Sequence, residues 1–455
     1  MRSNAWKKYN EQTLKEVYAY NEGYKEFMSN CKTERECVQR AIESAKKKGY
    51  QDIQYYIDHD LKLKPGDKVY ANNRGKTIAL FVIGKEDIQK GIKILGAHMD
   101  SPRLDIKQVP LYEKAEMAYF ETHYYGGIKK YQWVTVPLSM HGVIVKKDGT
   151  SITIQIGEKE NDPVFGVSDI LIHLSREQMN KNARNVIEGE DLNLTVGSIP
   201  LNDSVKDAIL KQFKEKYNIE EDDFTSAELE CVPAGKARDY GFDRSMVFTY
   251  GQDDKACVYT SLTALLEIEE TDRTICCYLC DKEETGSNGN TGSQSHFFED
   301  TIAEIAYLTS DHYHDLLTKR CLKNSVMISS DVSMGFDANY PSVFEKENAA
   351  LMGYGICFNK YTGSGGKSGA SDANAEYIAK IRNIMDQSGV SYQFGELGAV
   401  DAGGGGTIAK FFANLNTEVI DAGIPVQNMH APYEVTCKVD IYEAYKCYIA
   451  FLKNA

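Results

Sequence analysis

Residues 92–101 read IKILGAHMDS: a short, largely apolar run, a glycine, then a histidine and an aspartate two positions apart. The run has strand length and no polar alternation, so it reads as a strand covered on both faces, as in parallel sheets. The same pattern recurs along the chain. TIALFVI at 77–83, TICCYLC at 274–280 and VMISS at 326–330 are apolar runs of the same kind. Helical stretches alternate with them at 34–48, 256–268, 371–385, 407–415 and 439–452. Strands alternating with helices imply an α/β fold, a mostly parallel sheet sandwiched by helices.

The rhythm breaks between about residues 109 and 236. Residues 143–156 form two alternating runs around Asp148-Gly149, a strong hairpin signal. Residues 119–125 and 192–199 read as further strands, with one helix at 204–217. The expected organisation is therefore an α/β domain in two pieces, 1–108 and 237–455, with a β-rich domain inserted at 109–236.

Composition narrows the function classes. The 455 residues are 42% apolar and 26% charged, which suits a globular chain and excludes a disordered or collagen-like one. A net charge of −14 repels phosphate backbones, so no nucleic-acid partner is expected. No apolar run approaches the roughly 20 residues that span a bilayer, so no membrane partner is expected either. The opening MRSNAWKKYNEQTLKE is charged and reads as no secretory signal. Eleven scattered cysteines, an odd number, point to a reducing cytoplasm. Cys277 and Cys280 make a CxxC inside a strand-like run without a second pair, and read as packed thiols.

Four motifs fall just after predicted strands: GAHMDS (96–101), GQDDKA (251–256), CDKEETGS (280–287) and ISSD (328–331). A fifth, NMHAPYE (428–434), follows the extended run GIPVQ. In open α/β sheets ligands bind beyond the carboxyl ends of the strands. Each motif alone has a plainer reading: a hydrogen-bonded core histidine at His98, a helix cap at Asp253-Asp254, a solvated pair at Glu283-Glu284, a turn residue at Asp331. Together they gather carboxylates that repel one another unless cations offset them. Two histidines and three carboxylates are a donor set that zinc-like ions accept.

With these motifs in this order, and with DAGGGGTIAKF (401–411), the sequence resembles the aspartyl aminopeptidase family of dinuclear zinc metallo-aminopeptidases over its whole length. The resemblance implies a hydrolase that removes N-terminal residues from short peptides, preferring Asp or Glu. It implies two divalent ions per subunit, zinc first, with cobalt or manganese tolerated. His98, Asp253 and Asp331 would hold one ion, and Asp253, Glu284 and His430 the other. Asp100 would orient the His98 ring, and Glu283 would be the general base for a water activated by both metals. Asp254 would follow Asp253 across a cis peptide bond. Lys360 and Lys367 are candidates to receive an acidic side chain, and Lys129 or Lys130, in a segment like one that reaches a neighbouring subunit in relatives, could act in trans. The inserted domain would serve dimerisation or act as a lid, and the family's assemblies are dodecamers built from dimers. Met334 and Asp337 stand where many members carry histidines, which bears on the substrate pocket rather than on the metals.

Other readings compete. A dinuclear aminopeptidase of neutral specificity, a deacetylase or a carboxypeptidase shares the metal chemistry, and a non-catalytic self-assembling particle shares the fold. That last reading predicts a damaged ligand set, whereas all five ligands and the base are present. His312-Tyr313-His314 lacks strand context and reads as a solvated loop. The glycines at 403–406 lack the Lys-Ser/Thr of a phosphate loop.

Overall fold

The structure, a computed structural model, describes residues 3–455; Met1 and Arg2 of the expected first piece lie outside the described residues. The chain forms two compact units. One takes the chain up to Asp100 with Ala237–Met429 and Glu434–Ala455; the other takes Ser101–Lys236 and His430–Tyr433.

The first unit is built on a nine-stranded sheet in the order Gln51–Asp52, Lys68–Asn73, Thr77–Val82, Ile275–Cys280, Lys93–His98, Val326–Ser329, Glu418–Gly423, Ile356–Asn359, Tyr392–Phe394. The four central strands, from Ile275–Cys280 to Glu418–Gly423, are mutually parallel, and antiparallel pairings flank them. Alternation along each strand feeds two separate cores. Leu95, Ala97, Ile328 and Ile420 pack with Tyr24, Val38, Leu262, Ile381 and Phe451 on one side. Ile94, Tyr278, Met327 and Val419 pack with Phe298, Ile302, Leu322 and Phe412 on the other. The result is the expected helix–sheet–helix sandwich, and it explains the uninterrupted apolar runs. The same alternation sends Cys277 into one core and Cys280 into the other, so the CxxC cannot grip a single ion.

Register brings the motifs to one edge. Cys280 pairs with His98, and Ser329 with Gly96, so Glu283, His98 and Asp331 leave the sheet at the same end. The helix Gln252–Leu266 starts there too, from Gly251 in the left-handed region (φ 70°). Asp253 and Asp254 have non-helical dihedrals, so the regular helix begins just after them, as the sequence suggests. Glu434–Cys437 belongs to a second, five-stranded sheet of this unit, where Glu434 pairs with Thr249 just before Gly251.

The second unit is a seven-stranded antiparallel sheet in the order Ser151–Ile156, Leu138–Val145, Ala227–Pro233, Arg103–Lys114, Met117–Tyr125, Leu194–Gly197, Gly166–Val167. Gly149 turns the expected hairpin with φ 87°. The helix Val205–Tyr217 covers the sheet by packing Phe213 against Phe120 and Phe224. The expected boundary at 108/109 falls inside the strand Arg103–Lys114. A register shift between Ile106 and Leu111, with Gln108 and Val109 exposed, breaks the apolar alternation there and hides the strand from pattern reading.

Candidate metal centre

His98 ends a fully buried strand, and its ring is fixed from behind. Nδ1 lies 3.0 Å from the main-chain oxygen of Asp100 and 3.3 Å from its carboxylate. Both are acceptors, so Nδ1 carries the proton and Nε2 presents its lone pair. That lone pair faces Asp253 Oδ1 at 3.2 Å, Asp331 Oδ1 at 3.9 Å and Glu283 Oε2 at 4.0 Å. Donor atoms of His98, Asp253 and Glu284 lie within 4.8 Å of one another, and so do those of His98, Asp254 and Asp331.

Asp100 does more than orient the ring. Its Oδ1 accepts the Glu283 N–H and its Oδ2 the Glu284 N–H, each at 3.1 Å. The turn Glu283–Thr285, entered through Lys282 at φ 67°, is thereby tied to the strand that carries His98. Asp331 is seated by a glycine: a Cβ on Gly423 would stand 1.7 Å from the Asp331 carbonyl oxygen, so no larger residue allows this approach. Asp253 and Asp254 are joined by a cis peptide bond. Asp254 Oδ2 accepts the His98 N–H at 3.3 Å, while its Oδ1 is buried without a hydrogen-bond partner. The sequence reading gave Asp254 no place among the ligands, and it passed over Gly423.

The electrostatics ask for a cation. Burial pushes the Asp331 carboxyl well above its usual range; His98 opposes this, and the Asp254, Asp253 and Glu283 charges add to it. Burial likewise raises Asp254. For His98, burial disfavours the charged ring, but hydrogen bonds to Asp100 and Asp253 outweigh it and push the imidazole up. With protein groups alone Nε2 therefore takes a proton to face the carboxylates; only the neutral ring presents its lone pair, and acceptor is then opposed to acceptor. Divalent ions resolve this, because they satisfy every one of these donors and hold the carboxylates ionised. The residues present therefore fit such ions.

His430, in the left-handed region at φ 66°, belongs to the second unit, where its Nδ1 donates to the Gly127 carbonyl at 2.7 Å. Lys129 and Lys130 follow on the same loop as Gly127. Lys367 is engaged locally, with Asp372 at 2.9 Å and over the Tyr361 ring at 3.8 Å. Lys360 is exposed and lines a cleft of about 590 Å³ with Lys8 and Arg382. Met334 lies in a short strand paired with Pro425–Gln427, and Asp337 accepts the Asn339 N–H at 2.8 Å. His312 and His314 lie in the exposed stretch before the helix Asp315–Asn324.

A helix–sheet–helix sandwich with a largely buried His/Asp/Glu donor cluster beyond its parallel strands is the architecture of a zinc exopeptidase. Comparison with known proteins makes this specific. Residues 27–452 match the family model of the aminopeptidase I zinc metalloproteases, M18. A probable M18 family aminopeptidase 1 of Clostridium acetobutylicum is 59% identical, over 99% of this chain and 98% of that one. The crystal structure of an M18 aminopeptidase from Thermotoga maritima is 41% identical, covers 100% of both chains and superposes with a TM-score of 0.95. A structure of the S. cerevisiae mApe1 dodecamer, 20% identical over 96% of this chain and 97% of that one with a TM-score of 0.78, shares the fold. The chain belongs to the M18 family and is a zinc aminopeptidase.

Proposed function

We propose that the enzyme removes acidic residues, Asp or Glu, from peptide N-termini with two divalent ions and Glu283 as general base. The observation that carries the metal part of this reading is the set of buried and half-buried carboxylates around His98 Nε2. In this reading His98, Asp253 and Asp331 hold one ion, and Asp253, Glu284 and His430 the other. Once bound, the ions supply Lewis acidity for the scissile carbonyl and lower the pKa of water toward ~7. Glu283, beside the cluster and held by its own N–H, takes the proton of the attacking water and passes it to the leaving amine. Asp100 keeps His98 in the tautomer that presents Nε2 and keeps the adjacent glutamates in register.

An acidic side chain needs a cation. Lys367 already has Asp372 and Tyr361 as partners, whereas Lys129 and Lys130 sit on the loop whose Gly127 carbonyl orients His430. This favours the lysines of the inserted unit, acting in trans, with Lys360 as the alternative. Self-association is supported by the apolar side chains that this unit exposes, among them Ile170, Leu171, Ile172, Leu174 and Met179. By analogy with the yeast relative, the assembly is a dodecamer. Light scattering that finds only a 51.0 kDa species would sink it. Eleven buried free thiols support residence in the reducing cytoplasm, and no helix among the described residues is long and apolar enough to cross a membrane.

The test is hydrolysis of Asp-, Glu- and Leu-anilides by chelator-treated protein after zinc, cobalt or manganese is added back. Metal-restored turnover favouring Asp or Glu is expected. Turnover favouring Leu would discard the acidic pocket and turn attention to Met334 and Asp337.

A further inference from the structure

We propose that Glu434 is a positioning residue for Asp253, fixing the main chain from which that carboxylate reaches the metals. Asp253 stands at the head of a helix, where a main-chain N–H has no carbonyl four residues back to take it. Its dihedrals (φ −79°, ψ 105°) are not helical, so the helix itself does not hold it. Glu434 does: its Oε2 accepts the Asp253 N–H at 3.0 Å, and the residue is 1% exposed.

The main chain of Glu434 is anchored in turn to the neighbour of Asp253. Gln252 Nε2 donates to the Glu434 carbonyl at 2.7 Å and to the Val247 carbonyl at 3.2 Å. Gln252 Oε1 accepts from Tyr24 Oη at 2.8 Å and from the Thr436 hydroxyl. Both amide hydrogens and both lone pairs of Gln252 are thus used, so the amide cannot flip without loss. The side chain of residue 252 holds the main chain of residue 434, and the side chain of residue 434 holds the main chain of residue 253. This closed pair of contacts ties the strand Glu434–Cys437 to the turn that delivers Asp253. What the geometry requires at position 434 is an acceptor at the reach of a glutamate.

The inference rests on Asp253 being a metal ligand. Two conservative variants separate reach from charge. Glu434→Gln keeps an acceptor oxygen at full length without the charge. Glu434→Asp keeps the charge and withdraws the oxygen by one methylene. The readouts are the zinc dissociation constant, by chelator competition, and the visible spectrum of the cobalt-loaded protein. Glu434→Asp is expected to weaken zinc binding about 10–100-fold, the usual cost of disturbing a ligand's support, and to alter the cobalt bands. Glu434→Gln is expected to stay within about threefold of wild type with unchanged bands. The kcat of Glu434→Asp should fall with little change in KM. Any other ordering, whether reversed, equal losses or no loss, overturns the proposal. Asp253→Asn serves as the reference. If it binds zinc like wild type, the ligand reading of Asp253 fails and takes this inference with it. If it loses zinc while the Glu434 ordering fails, only the inference falls.

Discussion

Asp100 Oδ1 accepts the main-chain N–H of Glu283 at 3.1 Å. One carboxylate thereby spans a histidine on one strand and the glutamate turn after the next, through His98 Nδ1 on one side and Glu283 and Glu284 on the other. Asp100→Asn keeps one acceptor oxygen but points an NH2 group at a partner that can only donate. One N–H of the turn is then left buried and unpaired, at about 1–3 kcal/mol. The expected outcome is a kcat lowered roughly 10–100-fold, with the fold intact by circular dichroism. Wild-type kcat in Asp100→Asn would show that the turn is held by something else.

Glu283→Gln tests the base. The amide retains the size of the side chain but cannot take a proton, so turnover should fall by about 10²–10⁴-fold, while metal content by elemental analysis stays that of wild type. His430→Ala, by contrast, should lose one equivalent of metal by the same analysis. Near-full turnover in Glu283→Gln would assign the base elsewhere.

Gly423→Ala probes the seat of Asp331. The added Cβ meets the Asp331 carbonyl oxygen at 1.7 Å, a backbone contact that no side-chain rotation relieves. Since Gly423 ends a buried central strand, the chain at 331 must move instead. Weaker zinc retention under chelator challenge is expected, by about tenfold or more. A variant with unchanged metal affinity would show that the two strands part without disturbing the site.

The strands, the helices between them and most of the donor cluster were legible in the sequence because each is encoded locally. His98 and Asp331 follow apolar runs, and Asp253 precedes a helical one, so a strand end or helix start predicts where each points. What escaped depends on approach between distant segments. Nothing near residue 100 announces that its carboxylate will serve the main chain at 283 and 284, and nothing near 423 announces the carbonyl of 331. Asp254 was expected beside Asp253 across a cis bond, but the contact of its carboxylate with the His98 N–H depends on how the fold brings the two segments together. Lys367 is a case where local sequence supplies the partners. Its glycine-rich surroundings suggested a ligand, but the partners it finds, Asp372 and Tyr361, lie within six residues.

Lys93 gives a prediction about stability rather than catalysis. It begins the strand that ends at His98, is buried, and donates through Nζ to the carbonyls of Leu452 (2.8 Å) and Lys453 (3.1 Å), at the end of the helix Lys438–Asn454. The helix terminus favours a cation there. Burial, with the Arg273 and Lys380 charges, nevertheless brings its pKa down to about 8. In the unfolded chain a lysine titrates near 10.4. Between those values the unfolded state binds the extra proton, so this group adds stability as pH rises through the window. Lys93→Met removes the titration and keeps the length of the side chain. The melting temperature of wild type minus that of Lys93→Met should therefore increase from pH 8 to about 10.4 and be flat below pH 7. A difference that falls over that window would mean that the two carbonyls, rather than burial, set the lysine's charge.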